Sequence, residues 1–282
     1  MSYIIRVDEL QEMVNGNDDV VLVDVRFQLN DEEAGRKQYI KSHIPGAVYL
    51  DLNRDLASKV KKHGGNHPLP DLDEFVAKLG NIGIDNNTTV VVYDKENDMF
   101  AARLWWLLHY VGHEKVYVLE GGFNQWVEAG NEVTNEITPL QKKTFRPKVR
   151  TDLTVTMEEV KDKIYNRQAV VIDSRSKDRY LGIHEPMYRK AGHIPGAVNF
   201  FWKDIFTDKG TWKSVEELKR HFATIPKNEE VIVSCGSGVS ACPNIIALKQ
   251  AGYENVKLYP GSFSDWISYD ENDIELDENI LS

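Results

Sequence analysis

The chain has 282 residues, enough for two domains of ordinary size, and its 41% hydrophobic and 28% charged composition suits a globular protein that buries a sizeable core. A net charge of -10 argues against nucleic acid and against anionic membrane surfaces as partners, and the 2 cysteines cannot build a disulfide framework. No apolar run is long enough to span a bilayer, and residues 1–8 lack the basic-then-apolar pattern of a signal peptide, so a reducing, cytoplasmic home is expected.

In chain order, residues 20–23 form an unbroken apolar run of strand length. Residues 72–79 have helical spacing, with Asp71 or Asp73 available as the cap. Residues 90–93 read as the next strand. Residues 101–110 read as a helix made apolar by Leu104, Trp105, Leu107 and Leu108 and stopped by Gly112. Residues 116–119 are a strand, after which Gly121-Gly122 turns into a helix carrying Trp126. Residues 135–150 hold Pro139, Pro147 and five basic side chains, a composition that marks a linker laid across the surface. The order then returns: strand 170–172, helix 215–222, strand 231–233, helix 244–250 and strand 256–259. The acidic tail, 270–282, is expected to be frayed or loosely docked. Unbroken apolar strands alternating with helices imply parallel sheets covered on both faces.

The return is a duplication. Val20-Val21-Leu22-Val23-Asp24-Val25-Arg26 recurs as Ala169-Val170-Val171-Ile172-Asp173-Ser174-Arg175, and His43-Ile44-Pro45-Gly46-Ala47-Val48 recurs unchanged from His193 to Val198. Gly121-Gly122-Phe123-Asn124-Gln125-Trp126 corresponds to Gly261-Ser262-Phe263-Ser264-Asp265-Trp266. Asp94, ending the strand 90–93, corresponds to Cys235.

Cys235 closes a strand and opens the loop Gly236-Ser237-Gly238-Val239-Ser240-Ala241 ahead of a helix. The glycines let such a loop curl with several N–H groups turned toward the sulfur, and a helix amino terminus beside it favours an anion. A thiolate is the reactive form of cysteine, and this surrounding stabilises one. Ser237 and Ser240 add hydroxyl groups. A phosphatase loop needs an arginine six residues after its cysteine, to clamp phosphate. Here that position is Ala241, and no basic residue lies between Gly236 and Asn244.

The segment Cys235-Gly236-Ser237-Gly238-Val239-Ser240-Ala241 resembles the active-site loop of the two-domain rhodanese-like sulfurtransferases, most closely the 3-mercaptopyruvate branch, whose loop reads C-G-S-G-V-T-A. Both H-I-P-G-A segments, the Asp-x-Arg after the first strand of each half, Arg103-Leu104-Trp105-Trp106 and both Gly-x-Phe-x-x-Trp stretches extend the resemblance over nearly the whole chain. It implies an α/β fold of tandem duplicated rhodanese-like domains, each a parallel five-stranded sheet flanked by helices. The expected division is a non-catalytic domain at 1–134, a linker at 135–150 and a catalytic domain at 151–282. Asp94 cannot carry sulfane sulfur, which agrees with a silent first copy.

The resemblance further implies a two-step transfer without cofactor: Cys235 takes sulfur from a small anionic donor as a persulfide and passes it to a thiol or cyanide acceptor. Gly236, Ser237, Gly238, Val239 and Ser240 would hold the persulfide. Arg179 and Arg189, with Lys190 as an alternative to the latter, would bind the donor. The neutral pair Gly236-Ser237 favours 3-mercaptopyruvate, a monocarboxylate, over thiosulfate, a dianion. His67 resembles the histidine that the mercaptopyruvate branch sets against the loop serine, here Ser237, but the acid of that relay corresponds to Asn53, with Asp51 or Asp55 as stand-ins. Rival readings are a thiosulfate:cyanide sulfurtransferase and a non-catalytic rhodanese-like binding module or persulfide carrier. His43 and His193 are expected to fix turns, Asp24 and Asp173 to bond backbone near the strand ends, and Cys242 to pack in the first helical turn. Two cysteines without paired histidines make a metal site improbable.

Overall fold

The computed structural model describes residues 2–16, 19–139 and 141–276. The chain divides into two compact units. The first gathers the residues up to Ser58, then Leu69–Arg150 and Asp208–Thr211. The second gathers Lys59–Pro68, Thr151–Thr207 and the residues from Trp212 onward. Each unit therefore includes a short loop that belongs, in sequence, to the other copy.

The first unit runs β1 (Ile4–Ile5), α1 (Val7–Asn15), β2 (Val20–Asp24), α2 (Ala34–Lys41), β3 (Val48–Tyr49), α3 (Leu72–Asn81), β4 (Thr89–Tyr93), α4 (Met99–Tyr110), β5 (Val116–Leu119) and α5 (Gly122–Glu128). Its strands pair in parallel in the order β1-β5-β4-β2-β3. Val90, Val91, Val92 and Tyr93 are all wholly buried, as a central strand covered on both faces requires. Asp71 caps α3, its carboxylate accepting the N–H groups of Asp73 and Glu74. The linker is laid along this unit by backbone bonds from Lys143 to Gly80, Lys148 to Val111 and Arg150 to Tyr110, and it buries Phe145.

The second unit runs α6 (Met157–Tyr165), β6 (Ala169–Asp173), α7 (Lys177–Leu181), β7 (Val198–Asn199), α8 (Val215–His221), β8 (Glu230–Ser234), α9 (Cys242–Gln250), β9 (Val256–Leu258) and α10 (Ser262–Trp266). Its sheet is parallel with the order β7-β6-β8-β9. The expected fifth strand is reduced to one bridge, Thr154 on Leu258, because the chain turns into the cap of α6 two residues later. Val155, Val171, Ile232, Phe263 and Trp266 share one core beside this sheet. The residues 272–275 are docked, against expectation: Glu275 exchanges backbone hydrogen bonds with His193, and Asn272 is 4% exposed. The rest of the tail, 277–282, lies outside the described residues. No helix among the described residues is long and apolar enough to cross a membrane.

The same polar device ends β2 and β6. Asp24 accepts the backbone N–H of Arg26 and a bidentate contact from its guanidinium, and Asp173 and Arg175 repeat this. His43 and His193 each bind a tyrosine backbone carbonyl through Nδ1, Tyr39 and Tyr180 respectively, and stack on that same ring. Both histidines fix turns, as expected.

Candidate active site

Cys235 follows β8 and is 1% exposed. The Gly238 N–H donates to its sulfur at 3.1 Å, so the loop does curl back onto the thiol. Gly238 has φ +78, and a Cβ there would lie 2.3 Å from the Pro260 carbonyl oxygen, so both conformation and space demand glycine. The helix beyond starts at Cys242, two residues earlier than its spacing suggested, with Pro243 in the first turn where a missing N–H costs nothing. Cys242 donates its thiol to the Gly238 carbonyl at 3.4 Å, and neither cysteine is in a disulfide.

The backbone of Cys235 is tied to α10. Phe263 N–H donates to the Cys235 carbonyl at 3.0 Å and Ser264 N–H to that of Gly236 at 2.9 Å. The Ser262 hydroxyl accepts the Cys235 N–H at 3.1 Å and donates to the Tyr259 carbonyl at 2.8 Å. Ser262 does this at φ 52, in the left-handed region that a side chain seldom occupies. Its counterpart in the first unit is Gly122 at φ 54, where a Cβ would lie 2.5 Å from the Asp94 carbonyl.

His67 meets Ser237 as the resemblance implied, with Nδ1 2.7 Å from the hydroxyl oxygen. The loop that carries it is docked on α10 and the turn after it. Gly64 N–H donates to Asp265 at 2.6 Å, Asn66 N–H to the Ser264 hydroxyl at 3.1 Å, and the His63 ring stacks on Tyr269 with centroids 4.1 Å apart. Gly65 passes so near the Gly261 carbonyl that a Cβ would stand 2.4 Å from it. The proposed stand-ins for the third relay member are occupied within the first unit. Asp51 accepts the N–H groups of Asn53 and Arg54 and the Tyr49 hydroxyl, while Asp55 accepts the Asp51 N–H and pairs with Lys78.

Arg179 lies in α7, with Nε donating to both oxygens of Glu185 at 3.1 and 3.0 Å. Its Nη2 is buried, stands 3.0 Å from Glu185 as an ion pair, and has no well-directed hydrogen bond. Glu185 also takes Arg175, whose guanidinium lies 3.9 Å from the centre of the Phe263 ring. Arg189 is elsewhere: 61% exposed, it donates to the Ile267 carbonyl at 2.7 Å and faces Asp270. The residue before it, Tyr188, is the one that reaches the loop, and sequence reasoning missed it. Its phenol faces Arg179 and Ser237, and burial first, then the charge of Cys235, pushes its pKa above the ordinary phenol range. The only signal in the sequence was adjacency to Arg189. Val239 is buried and Ser240 half-buried in the same loop.

The first unit fills the equivalent loop with a buried carboxyl group. Asp94 is 1% exposed, and its carboxylate accepts the N–H groups of Asp98 at 3.0 Å and Ala101 at 2.9 Å. Burial, and then the charge of Asp98, raises its pKa to about 7. A buried acid raised from 3.8 to about 7 binds its proton more tightly folded than unfolded, so the stability it contributes is full below pH 3.8 and is lost as pH rises through 7. Asp94→Asn, which stays neutral, should gain on wild type by a few kcal/mol between pH 5 and pH 8, measured by chemical unfolding. A stability difference that does not change with pH would show that Asp94 is already ionised at pH 5.

A profile described as Rhodanese-like domain matches residues 6–129 and again 156–269. A probable 3-mercaptopyruvate sulfurtransferase of Pseudomonas aeruginosa is 37% identical over 255 residues, covering 89% of this chain and 90% of that protein. A thiosulfate sulfurtransferase of Mus musculus is 35% identical over 240 residues, covering 82% of this chain and 79% of that protein. Among solved structures, the 3-mercaptopyruvate sulfotransferase SseA of Escherichia coli superposes with a TM-score of 0.81 at 29% identity, over 94% of this chain and 100% of its own.

Proposed function

We propose that this chain, which belongs to the rhodanese-like family through both of its halves and is a sulfurtransferase, moves sulfane sulfur from 3-mercaptopyruvate through a persulfide on Cys235 to a thiol or cyanide. The observation that carries the donor assignment is the neutrality of the loop. Gly236 and Ser237 offer a dianion no cation, and Ser237 is instead held by His67 at 2.7 Å.

In the first step the Cys235 thiolate attacks the donor sulfur. The carbon–sulfur bond breaks, its electron pair stays on the carbon as the enolate of pyruvate, and the donor's thiol proton is passed to that same carbon, which gives pyruvate and leaves the persulfide as its anion. The Ser237 hydroxyl and His67 are the groups that move this proton. Arg179 pairs with the donor carboxylate, for which its Nη2 has hydrogen-bonding capacity to spare. Arg189 would have to leave the Ile267 carbonyl to join it. Gly238 N–H and its neighbours along Gly236 to Ser240 hold the persulfide anion. In the second step the acceptor attacks the outer sulfur, taking it away as thiocyanate or a new persulfide and returning Cys235 as thiolate. Cys235 and Cys242, neither of them in a disulfide, suit a reducing compartment such as the cytoplasm. The net charge of -10 gives nucleic acid no general attraction.

Steady-state rates with mercaptopyruvate and thiosulfate, cyanide as acceptor, test the reading. The expected result is a higher kcat/KM with mercaptopyruvate and a gain of one sulfur atom on the wild-type protein by mass spectrometry. A higher kcat/KM with thiosulfate would establish the rival donor. Turnover of neither, with no adduct, would leave a binding module.

A further inference from the structure

Gly236, immediately after the nucleophile, is glycine because something else occupies its side-chain space. A Cβ there would lie 2.4 Å from the hydroxyl oxygen of Tyr188 and 3.2 Å from two of its ring carbons. The ring is fixed from the other directions. It packs edge-on against Phe263 with centroids 6.0 Å apart, and the Arg179 guanidinium lies 5.2 Å from its centre. A phenol hydroxyl is thus set beside the backbone of the sulfur-carrying loop, next to the Arg179 guanidinium, whose buried Nη2 has no well-directed hydrogen bond.

We infer, resting on the sulfur-transfer reading above, that Tyr188 contacts the sulfur donor and selects for it, its hydroxyl donating a hydrogen bond to the oxo group of a 2-oxo acid whose carboxylate pairs with Arg179. One cation and one neutral donor match a monoanion with a carbonyl beside its carboxylate. They match a compact dianion poorly, because the second charge finds only an uncharged hydroxyl. The contact also strengthens as the reaction proceeds. When the carbon–sulfur bond breaks, its electron pair delocalises onto the oxo oxygen, so the acceptor of the Tyr188 hydrogen bond becomes an enolate. Burial keeps the phenol protonated, and therefore a donor, across the neutral range. Tyr188 keeps its proton in this step; it stabilises the enolate, while Ser237 and His67 handle the proton that reaches carbon.

Tyr188→Phe removes the hydroxyl and leaves the ring on Phe263 and under Arg179. With mercaptopyruvate, kcat/KM should fall about 10- to 100-fold, the loss of one hydrogen bond to a charged acceptor, with most of the fall in kcat. With thiosulfate it should change less than about threefold, and discharge of preformed persulfide to cyanide should be unaltered. Equal losses with both donors would mark Tyr188 as structural, and unchanged mercaptopyruvate kinetics would remove it from the site. If wild type turns over neither donor, the sulfur-transfer reading has failed instead. The double variant supplies an independent arm: Gly236→Ala should be better tolerated in the Tyr188→Phe background than in wild type, because the nearest obstacle is gone. Strict additivity of the two changes would overturn the packing on which the contact rests.

Discussion

Cys235→Ser is expected to abolish the sulfur adduct and to lower kcat by about four orders of magnitude or more, the loss typical of removing a nucleophile. The change is nearly isosteric, and the cysteine is held through atoms that serine keeps. Its N–H donates to Ser262, its carbonyl accepts from Phe263, and Gly238 N–H can donate to oxygen as it does to sulfur. Stability should therefore stay within about 1 kcal/mol of wild type, so lost activity reports chemistry and not unfolding. A serine hydroxyl is scarcely ionised at neutral pH, even among inward N–H groups, and an S–O bond is no store of sulfane sulfur. Mass spectrometry after donor treatment decides the matter. An adduct on Cys235→Ser of the same size as on wild type would move the carrier to Cys242, the other cysteine, which is wholly buried.

Arg175→Ala is expected to cost the second unit about 3–5 kcal/mol, the usual penalty for taking one partner from a buried ion pair. The side chain is wholly buried, joins the two buried carboxylates Asp173 and Glu185, donates to the Gly192 carbonyl at 2.7 Å and covers the Phe263 ring. Without it Asp173 loses its guanidinium partner out of water, and Glu185 keeps Arg179. Donor binding should weaken too, because a freed Glu185 takes more of Arg179 for itself. Chemical unfolding followed by fluorescence measures the first effect, and KM for mercaptopyruvate the second. A stability loss under about 1 kcal/mol would show that the carboxylates rehydrate or protonate with ease.

The sheets were legible because their central strands are β-branched runs closed by aspartate, and the candidate site because the loop after Cys235 is neutral, glycine-rich and absent from the first copy. What escaped has physical reasons. Cys242 and Pro243 carry no helical periodicity, yet proline suits the first turn, so α9 began before its pattern did. Tyr188 sits in an irregular stretch between α7 and β7, where no period says which of two neighbours turns inward; charge pointed to Arg189 and packing chose the ring. Glu185 partners Arg175 across ten residues, a pairing that depends on how the chain folds back. The tail read as acidic and loose, yet the Glu275 carboxylate accepts the Gly196 N–H at 2.8 Å and its backbone pairs with His193, contacts that no local pattern encodes. Residues 59–68, basic and glycine-rich, carry no helix or strand period to say what they pack on, and their glycines allow close docking on α10.

That docking changes what the duplication means for dissection and inheritance. A single cut after Arg150 would not yield two self-sufficient copies. The fragment 151–282 would carry Cys235 and Ser237 without His67, and its α10 would lose the partners that Gly64 and Asn66 supply. The fragment 1–150 would lose the Gly210 carbonyl, which takes Asn97 Nδ2 at 2.5 Å while that residue sits at φ 54. Each half lends the other a loop, so neither can be deleted, exchanged or left to drift alone.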